Sequence, residues 1–408
     1  MIAFLRENAR WLGAGFLLTL AGSFGQTWFI SLFAGEIRAV HGLSDGEWGS
    51  LYTVATLASA ALLFLRGALA DTVRPGRLAP LIALAFAASC LGLAFAPNVA
   101  VLGLALFGLR FCGQGMFGHI ALTAMGRWFR ATRGRAVAIA AFGHSAGEVI
   151  WPLPAILLAG LLGWQAVWVG VAALLALGVA PAIMRLLARG RVPQGAESAE
   201  AGQTGLDGRN WTRREVLGHG LFLALLPILL TPGFIGTVVF FHQVHVAEVK
   251  GWTLAQMAPG YAAFATLTVL SSFAAGWAAD RFGPARLLPV LLLPMGAGIA
   301  LLGPVTAVSG WFAVLGLIGV TQGMTGALWG TLLPAIYGTQ HLGAVRSLAT
   351  TVMVVSTAIG PGLTGLLIDA GVTFPAQGPA LGVWCAGLSG LGWLISRRIV
   401  AAMTPATA

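Results

Sequence analysis

The chain is poor in charge. Only 9% of its 408 residues are Asp, Glu, Lys or Arg, against about 25% in soluble domains. A water-soluble protein of this length could not cover its surface with so few charges, so most of that surface must meet lipid. Cysteine is scarce as well. Cys90, Cys112 and Cys385 each sit inside an apolar run, and an odd number without a CxxC gives neither a disulfide framework nor a metal site. There is no GxxxxGKS or GxxxxGKT phosphate loop and no HExxH, which argues against an ATP-driven pump and against a zinc protease of the HExxH type. No enzyme activity and no cofactor are expected, and Gly113-Gln114-Gly115 inside an apolar run reads as helix packing.

What the chain has in quantity is hydrophobic length: 58% of its residues are hydrophobic. Runs of about 20 apolar residues are long enough to cross a bilayer as helices. They lack the two-residue alternation of barrel strands. Twelve can be placed, at roughly 11–35, 46–69, 79–96, 99–125, 136–159, 164–187, 219–244, 254–278, 287–306, 310–335, 347–369 and 378–397. The run after Arg6 and Arg10 is long and followed by many others, so it reads as an uncleaved first span.

Half of the chain repeats the other half. Residues 42–80 recur at 251–289 with a constant offset of 209. Tyr52 returns as Tyr261, and Gly67-Ala68-Leu69-Ala70-Asp71 returns as Gly276-Trp277-Ala278-Ala279-Asp280. The match resumes at an offset of 208, where Gln114-Gly115-Met116 answers Gln322-Gly323-Met324. The expected fold is therefore an all-α membrane protein of two pseudo-symmetric six-helix bundles, residues 1–187 and 218–408. Residues 188–217 are polar and rich in Gly, Ala and Glu, the composition of a flexible linker. Two homologous bundles flanking a shared cavity are the usual architecture of a transporter.

The formal net charge of +10 does not indicate a nucleic-acid partner. All of the 23 Lys and Arg except Arg38, Lys250 and Arg110 fall in the loops or adjoining span ends of one side. This is the positive-inside bias. It places both termini in the cytoplasm and the protein in the inner (plasma) membrane, with lipid head groups as neighbours.

The loop between the second and third spans reads Gly67-Ala68-Leu69-Ala70-Asp71-Thr72-Val73-Arg74-Pro75-Gly76-Arg77. Together with twelve spans and an echo at Gly276 to Arg286, it resembles the signature G-x-L-a-D-r-x-G-r-r of the major facilitator superfamily. Gly67, Asp71, Arg74 and Arg77, with Gly276, Asp280 and Arg286, then form a gating loop in each half, an Asp–Arg latch between helix ends. The segment Gly126-Arg127-Trp128-Phe129-Arg130 to Gly147 is loosely similar to the monocarboxylate and oxalate/formate porters, which move small organic anions. Those porters place a cationic side chain in the eighth span, and this chain has none there.

Only Arg110 and Glu148 carry formal charge near mid-membrane. They lie about 11 and 12 residues into adjacent antiparallel spans, near the midplane at 1.5 Å per residue. A charge there costs at least ~2.5–3.5 kcal/mol, so an idle one is not expected. The repeat puts Ile318 opposite Arg110, so the scaffold itself does not require the Arg. Arg110 to Gly118 also resembles the fourth-span motif of proton-coupled facilitators. Arg110 is a candidate for holding an anion or for controlling the proton affinity of Glu148; the bland alternative is a fixed Arg–Glu pair between neighbouring helices. His144, four residues before Glu148, extends a proton path. Gln26, Thr27 and Trp28 in the first span, Gln114 and Gln322 at repeat-equivalent positions, and His119 complete the candidate set, each weighed against simple packing. His242 and His245 near Glu248 read as an interfacial feature, and no metal site is expected. The expected activity is secondary transport of a small organic anion with protons, by a monomer. A proton-coupled exporter of lipophilic or cationic compounds is the alternative, disfavoured because the fifth span lacks a Gly-Pro motif. A receptor or assembly factor on the same scaffold is a further rival.

Overall fold

The structure is a computed structural model that describes residues 2–67, 69–129, 132–191 and 204–403. Among the described residues ten helices are long and apolar enough to cross a bilayer, and two bent helix pairs each pass together, giving twelve spans when each pair is one span. They are α1 (arms Phe4–Gly25 and Thr27–His41), α2 (Asp45–Arg66), α3 (Pro75–Ala94), α4 (Val99–Trp128), α5 (arms Gly134–Ile150 and Pro152–Leu162) and α6 (Trp164–Leu186). Then follow α7 (Gly220–Phe241), α8 (Leu254–Phe282), α9 (Pro284–Leu301), α10 (Val308–Tyr337), α11 (Leu342–Asp369) and α12 (Phe374–Ala402). No strand occurs among the described residues.

The chain divides into two compact units, Met1–Glu197 and Ser198–Ala408. Within the first, α1 packs on α5, α2 on α4 and α3 on α6; within the second, α7 packs on α11, α8 on α10 and α9 on α12. The internal repeat thus has one packing scheme, used twice. Lipid offers no hydrophobic drive between helices, so close approach falls to small residues. At Gly143 an added Cβ would stand 2.3 Å from the Phe16 carbonyl oxygen, and at Gly323 it would stand 2.1 Å from that of Thr268. Large apolar side chains such as Leu161, Leu177, Phe273 and Val383 are at least 74% exposed. Water would not tolerate that pattern; acyl chains do.

The sequence places equivalent caps at the starts of α2 and α8. The Ser44 hydroxyl accepts from the Glu47 N–H and the Glu47 carboxylate from the Ser44 N–H. Thr253 and Gln256 repeat this box. Part of the polar connection is ordered. Residues Arg213–Gly218 form a short helix capped by Thr212 and Glu215, and the Trp211 N–H donates to the Tyr337 carbonyl at the end of α10 at 3.0 Å. Residues 192–203 lie outside the described set.

Candidate functional site

The first unit departs from regular α-helix at two breaks and in two π-helical segments, one of them Leu174–Val179 in α6. The arms of α1 meet at 46° and those of α5 at 43°. In α4, Arg110–Phe117 forms a π-helical segment, a wide turn rare in general and frequent at functional sites.

The α1 break follows from Gly22-Ser23-Phe24-Gly25, poor helix formers that lead into Gln26 in an extended conformation (φ −82°, ψ 151°). The N–H groups of Phe29 and Ile30 both turn to the Gln26 carbonyl, so the Gly25 carbonyl is left without its helical donor. The break is also where α4 comes closest. A Cβ on Gly25 would stand 2.3 Å from the Leu109 carbonyl oxygen and 2.8 Å from the Gly113 Cα. On the other flank, a Cβ on Gly147 of α5 would stand 2.0 Å from the Ser23 Oγ. In α5 the break falls at Trp151–Pro152, where proline supplies no N–H and starts the second arm.

Arg110 enters this junction from α4 and is wholly buried. Its Nη1 donates to the open Gly25 carbonyl at 3.1 Å, and its guanidinium carbon lies 5.2 Å from the centre of the Tyr52 ring. The Tyr52 hydroxyl in turn shares a 2.7 Å hydrogen bond with Thr27 Oγ1. A cation at the C-terminal end of a helix arm opposes the negative pole of that arm, so the placement is electrostatically favourable. It is incomplete, however. Arg110 Nε and Nη2 have no hydrogen-bond partner among the described residues, nor has the buried Ser23 Oγ. Each buried N–H left unmade costs ~1–3 kcal/mol.

Depth suggests that Arg110 and Glu148 meet; in the structure they form no ion pair. Glu148 is buried, and among the described residues its ion-pair partner is His144, with Nε2 at 3.5 Å from Oε1. The His144 side chain is 41% exposed and that of Glu148 9%, so the pair runs from a half-open position inward. Two buried ionisable side chains thus sit on neighbouring helices without pairing with one another.

The remaining candidates separate into groups. Thr27 and Trp28 are buried beside the break, and Trp28 stands edge-on to Phe29 at 5.7 Å. Gln26 and Gln114 are half-buried, and neither side chain hydrogen-bonds within the described residues. Gln322, in the second unit, donates through Nε2 to the Pro232 carbonyl of α7 at 3.1 Å. Each half therefore ties its fourth helix to a carbonyl in the middle of its first. The second half uses Gln322, while the first half uses Arg110 one turn earlier and leaves Gln114 unengaged.

His119 belongs elsewhere: its Nε2 lies 3.0 Å from the Gly67 carbonyl, tying α4 to the loop motif. Arg74 and Arg77 are exposed there, whereas the Asp71 side chain lies outside the described set. In the second copy, Gly276 lies within α8, Asp280 is exposed without an ion pair among the described residues, and Arg286 donates to the Phe282 carbonyl at 3.2 Å. The expected Asp–Arg latch is open at Asp280. His242 is buried, 2.7 Å from Thr364 Oγ1, and packs on Phe374. Among the described residues it joins no group of three metal-ligating side chains. Sequence reasoning missed the α1 break and the π segment. The Gly-Ser-Phe-Gly string was the available signal for the first; the second had none.

Fold and site together define a polytopic helical carrier built on a duplicated bundle. The sequence pattern of the Major Facilitator Superfamily matches residues 15–361, and the chain belongs to that superfamily of membrane transporters. An uncharacterized 38 kDa protein in the 23S RNA operon of Thermoproteus tenax is 27% identical over 89% of this chain and 90% of that protein. Among solved structures, a bacterial homologue of the human lysosomal transporter Spinster, inward-facing and unoccupied, superposes with a TM-score of 0.74. It is 19% identical, over 98% of this chain and 99% of that one. The occupied inward-facing form gives 0.68 at 20% identity over 96% and 94%. At these identities the likeness is one of fold.

Proposed function

We propose that this protein is a secondary active transporter that carries a small organic anion, of monocarboxylate type, together with a proton by alternating access. The observation that carries the proposal is the state of Arg110: among the described residues, a buried cation with no carboxylate partner and with Nε and Nη2 unmade. A guanidinium in that condition supports a carboxylate ligand, because its planar fork engages two oxygens at once. An anion would supply both the missing countercharge and the missing acceptors. Thr27, Trp28, Gln26 and Gln114 would line its surroundings.

Glu148 is the proton carrier in this reading. It is not tied to Arg110, and His144 links it toward the more open part of α5. The bias of basic residues supports cytoplasmic termini and insertion in the inner membrane. A second reading, proton-coupled export of lipophilic cations, draws on the same Glu148, a buried carboxylate with no Arg or Lys partner among the described residues.

Proteoliposome transport tests the assignment. A panel of small carboxylates and a panel of lipophilic cations are assayed for coupled proton movement, with wild type beside Arg110→Ala. The expected result is carboxylate-dependent proton entry that disappears in Arg110→Ala. Proton movement driven by cations alone, or anion uptake indifferent to Arg110, would overturn the anion reading.

A further inference from the structure

At the arginine-rich end of the first unit the structure holds a cavity of about 700 Å³. It lies between the α2–α3 loop and the ends of α4 and α6. Five arginines line it, Arg74, Arg77, Arg127, Arg189 and Arg191, and its described lining residues include no Asp or Glu. Its remaining walls are largely apolar, with Val73, Met184 and Leu187 among them.

One of these arginines is fixed in advance. Arg191 Nε donates to the Trp128 carbonyl at 3.3 Å and Nη1 to Asn8 Oδ1. Its guanidinium carbon lies 4.1 Å from the Phe129 ring centre and 4.8 Å from that of Trp11. Two hydrogen bonds and two aromatic faces hold the fork in place, while Nη2 makes no hydrogen bond among the described residues. Arg74, Arg77 and Arg189 are exposed and make no ion pair within the described residues. They can therefore close on a ligand around a rigid Arg191.

The feature is not a by-product of the scaffold. At the repeat offset, Arg127 corresponds to Ala335, so the second half has no counterpart there. Like charges gathered in one cavity repel, and an anion among them would relieve that repulsion.

We infer that this cavity is a binding site for a phosphate-bearing ligand, and specifically for the head group of an anionic phospholipid. Arginine forks match phosphate oxygens, and the cavity opens where the ends of the spans meet the head-group layer. Basic pockets between membrane helices bind such heads. The apolar walls suit the glycerol and first methylenes of a lipid, which a free phosphate ester does not need. The proposal is independent of the cargo assigned to Arg110.

Native mass spectrometry of the purified full-length protein tests it, with phosphatidylglycerol and phosphatidylcholine as lipid probes and glycerol phosphate as the soluble one. Wild type should retain phosphatidylglycerol in preference to phosphatidylcholine. Arg77→Gln/Arg189→Gln should hold it about 30-fold less tightly, the loss of two basic contacts. The control Arg281→Gln/Arg286→Gln removes equal charge from the second half and should bind as wild type does. Equal retention by wild type and Arg77→Gln/Arg189→Gln would remove the site. Glycerol phosphate binding alone as tightly as the lipid would assign the cavity to a soluble ester and overturn the lipid assignment. All these arginines except Arg191 are exposed, and thermal unfolding checks that each variant is folded.

Discussion

Arg110 and Gly25 complete one another across two helices: the broken first span exposes a carbonyl, and the fourth span supplies the donor at 3.1 Å. The contact explains how a charge at mid-membrane persists on a scaffold whose other half has Ile318 in its place. It also leaves Nε and Nη2 for other work.

Replacing Arg110 separates structure from function. Arg110→Met keeps the unbranched stem of the side chain and removes a buried, unpaired charge, which relieves its desolvation cost. One carbonyl loses its donor, a cost of ~1–3 kcal/mol. The detergent melting temperature should therefore change little while anion uptake falls to background. Arg110→Lys retains charge but offers a point rather than a fork and should restore only a small part of the rate. A large melting shift with uptake intact would make Arg110 a purely structural cap.

Glycine substitutions along α1 should have opposite signs. Gly25→Ala drives a Cβ to 2.3 Å from a backbone oxygen of α4, and backbone cannot step aside. The loss should reach or exceed the upper end of the ~1–3 kcal/mol usual for overpacking. A Cβ added at Gly13 would meet nothing within 4 Å, so Gly13→Ala should gain up to about 1 kcal/mol of helix propensity. Paired thermal-shift measurements decide it; equal effects at both positions would mean that the α1–α4 contact is not tight.

Glu148→Gln should uncouple the carrier. Exchange of labelled substrate down its own gradient continues, while accumulation driven by a proton gradient stops. His144→Ala, which removes the neighbour at 3.5 Å, should slow proton-driven uptake without abolishing it. Proton-driven accumulation surviving in Glu148→Gln would dismiss Glu148 as the carrier.

Outside the spans, His219 makes the entry to α7 sensitive to pH. Its ring stacks on Trp211 at 4.3 Å, and Nδ1 lies 3.3 Å from the Tyr337 hydroxyl. Burial holds the imidazole below its ordinary 6.5, with nearby Arg209 acting in the same direction and Asp207 against it. A group whose folded value is lowered favours folding fully above 6.5 and loses that contribution as pH falls through the lowered value. Amide protection over residues 205–219, taken relative to the intrinsic exchange rate at each pH, should therefore fall below pH 6.5 and stay flat in His219→Phe. The Glu215 carboxylate is pulled below its usual 4.5 by the Thr212 N–H and hydroxyl, so its effect belongs to a more acid range and does not confuse the result.

Much of this was legible in the sequence because hydropathy and repetition are one-dimensional signals. Span number, the paired halves and the caps at Ser44 and Thr253 depend on run length and local pattern, which a string records. The encounter of Arg110 with Glu148 depends on azimuth as well as depth. A wide turn from Arg110 to Phe117 carries each later residue around by about 100° per added position, and apolar composition does not register it. The partner that Arg110 does find, the Gly25 carbonyl, is main chain, and no residue type announces a carbonyl. His119 was misplaced for a related reason: its depth was readable, its bond to Gly67 was not.

An acceptor made of backbone is indifferent to the alphabet. No exchange of side chain at position 25 can retune the Gly25 oxygen, and the contact with α4 forbids most exchanges there in any case. In the proposed reading, variation in what this junction binds therefore passes through position 110 and the few side chains around it. In a lineage of such proteins, selectivity would drift at Arg110, Gln26 and Gln114 while the broken helix beneath them stayed still.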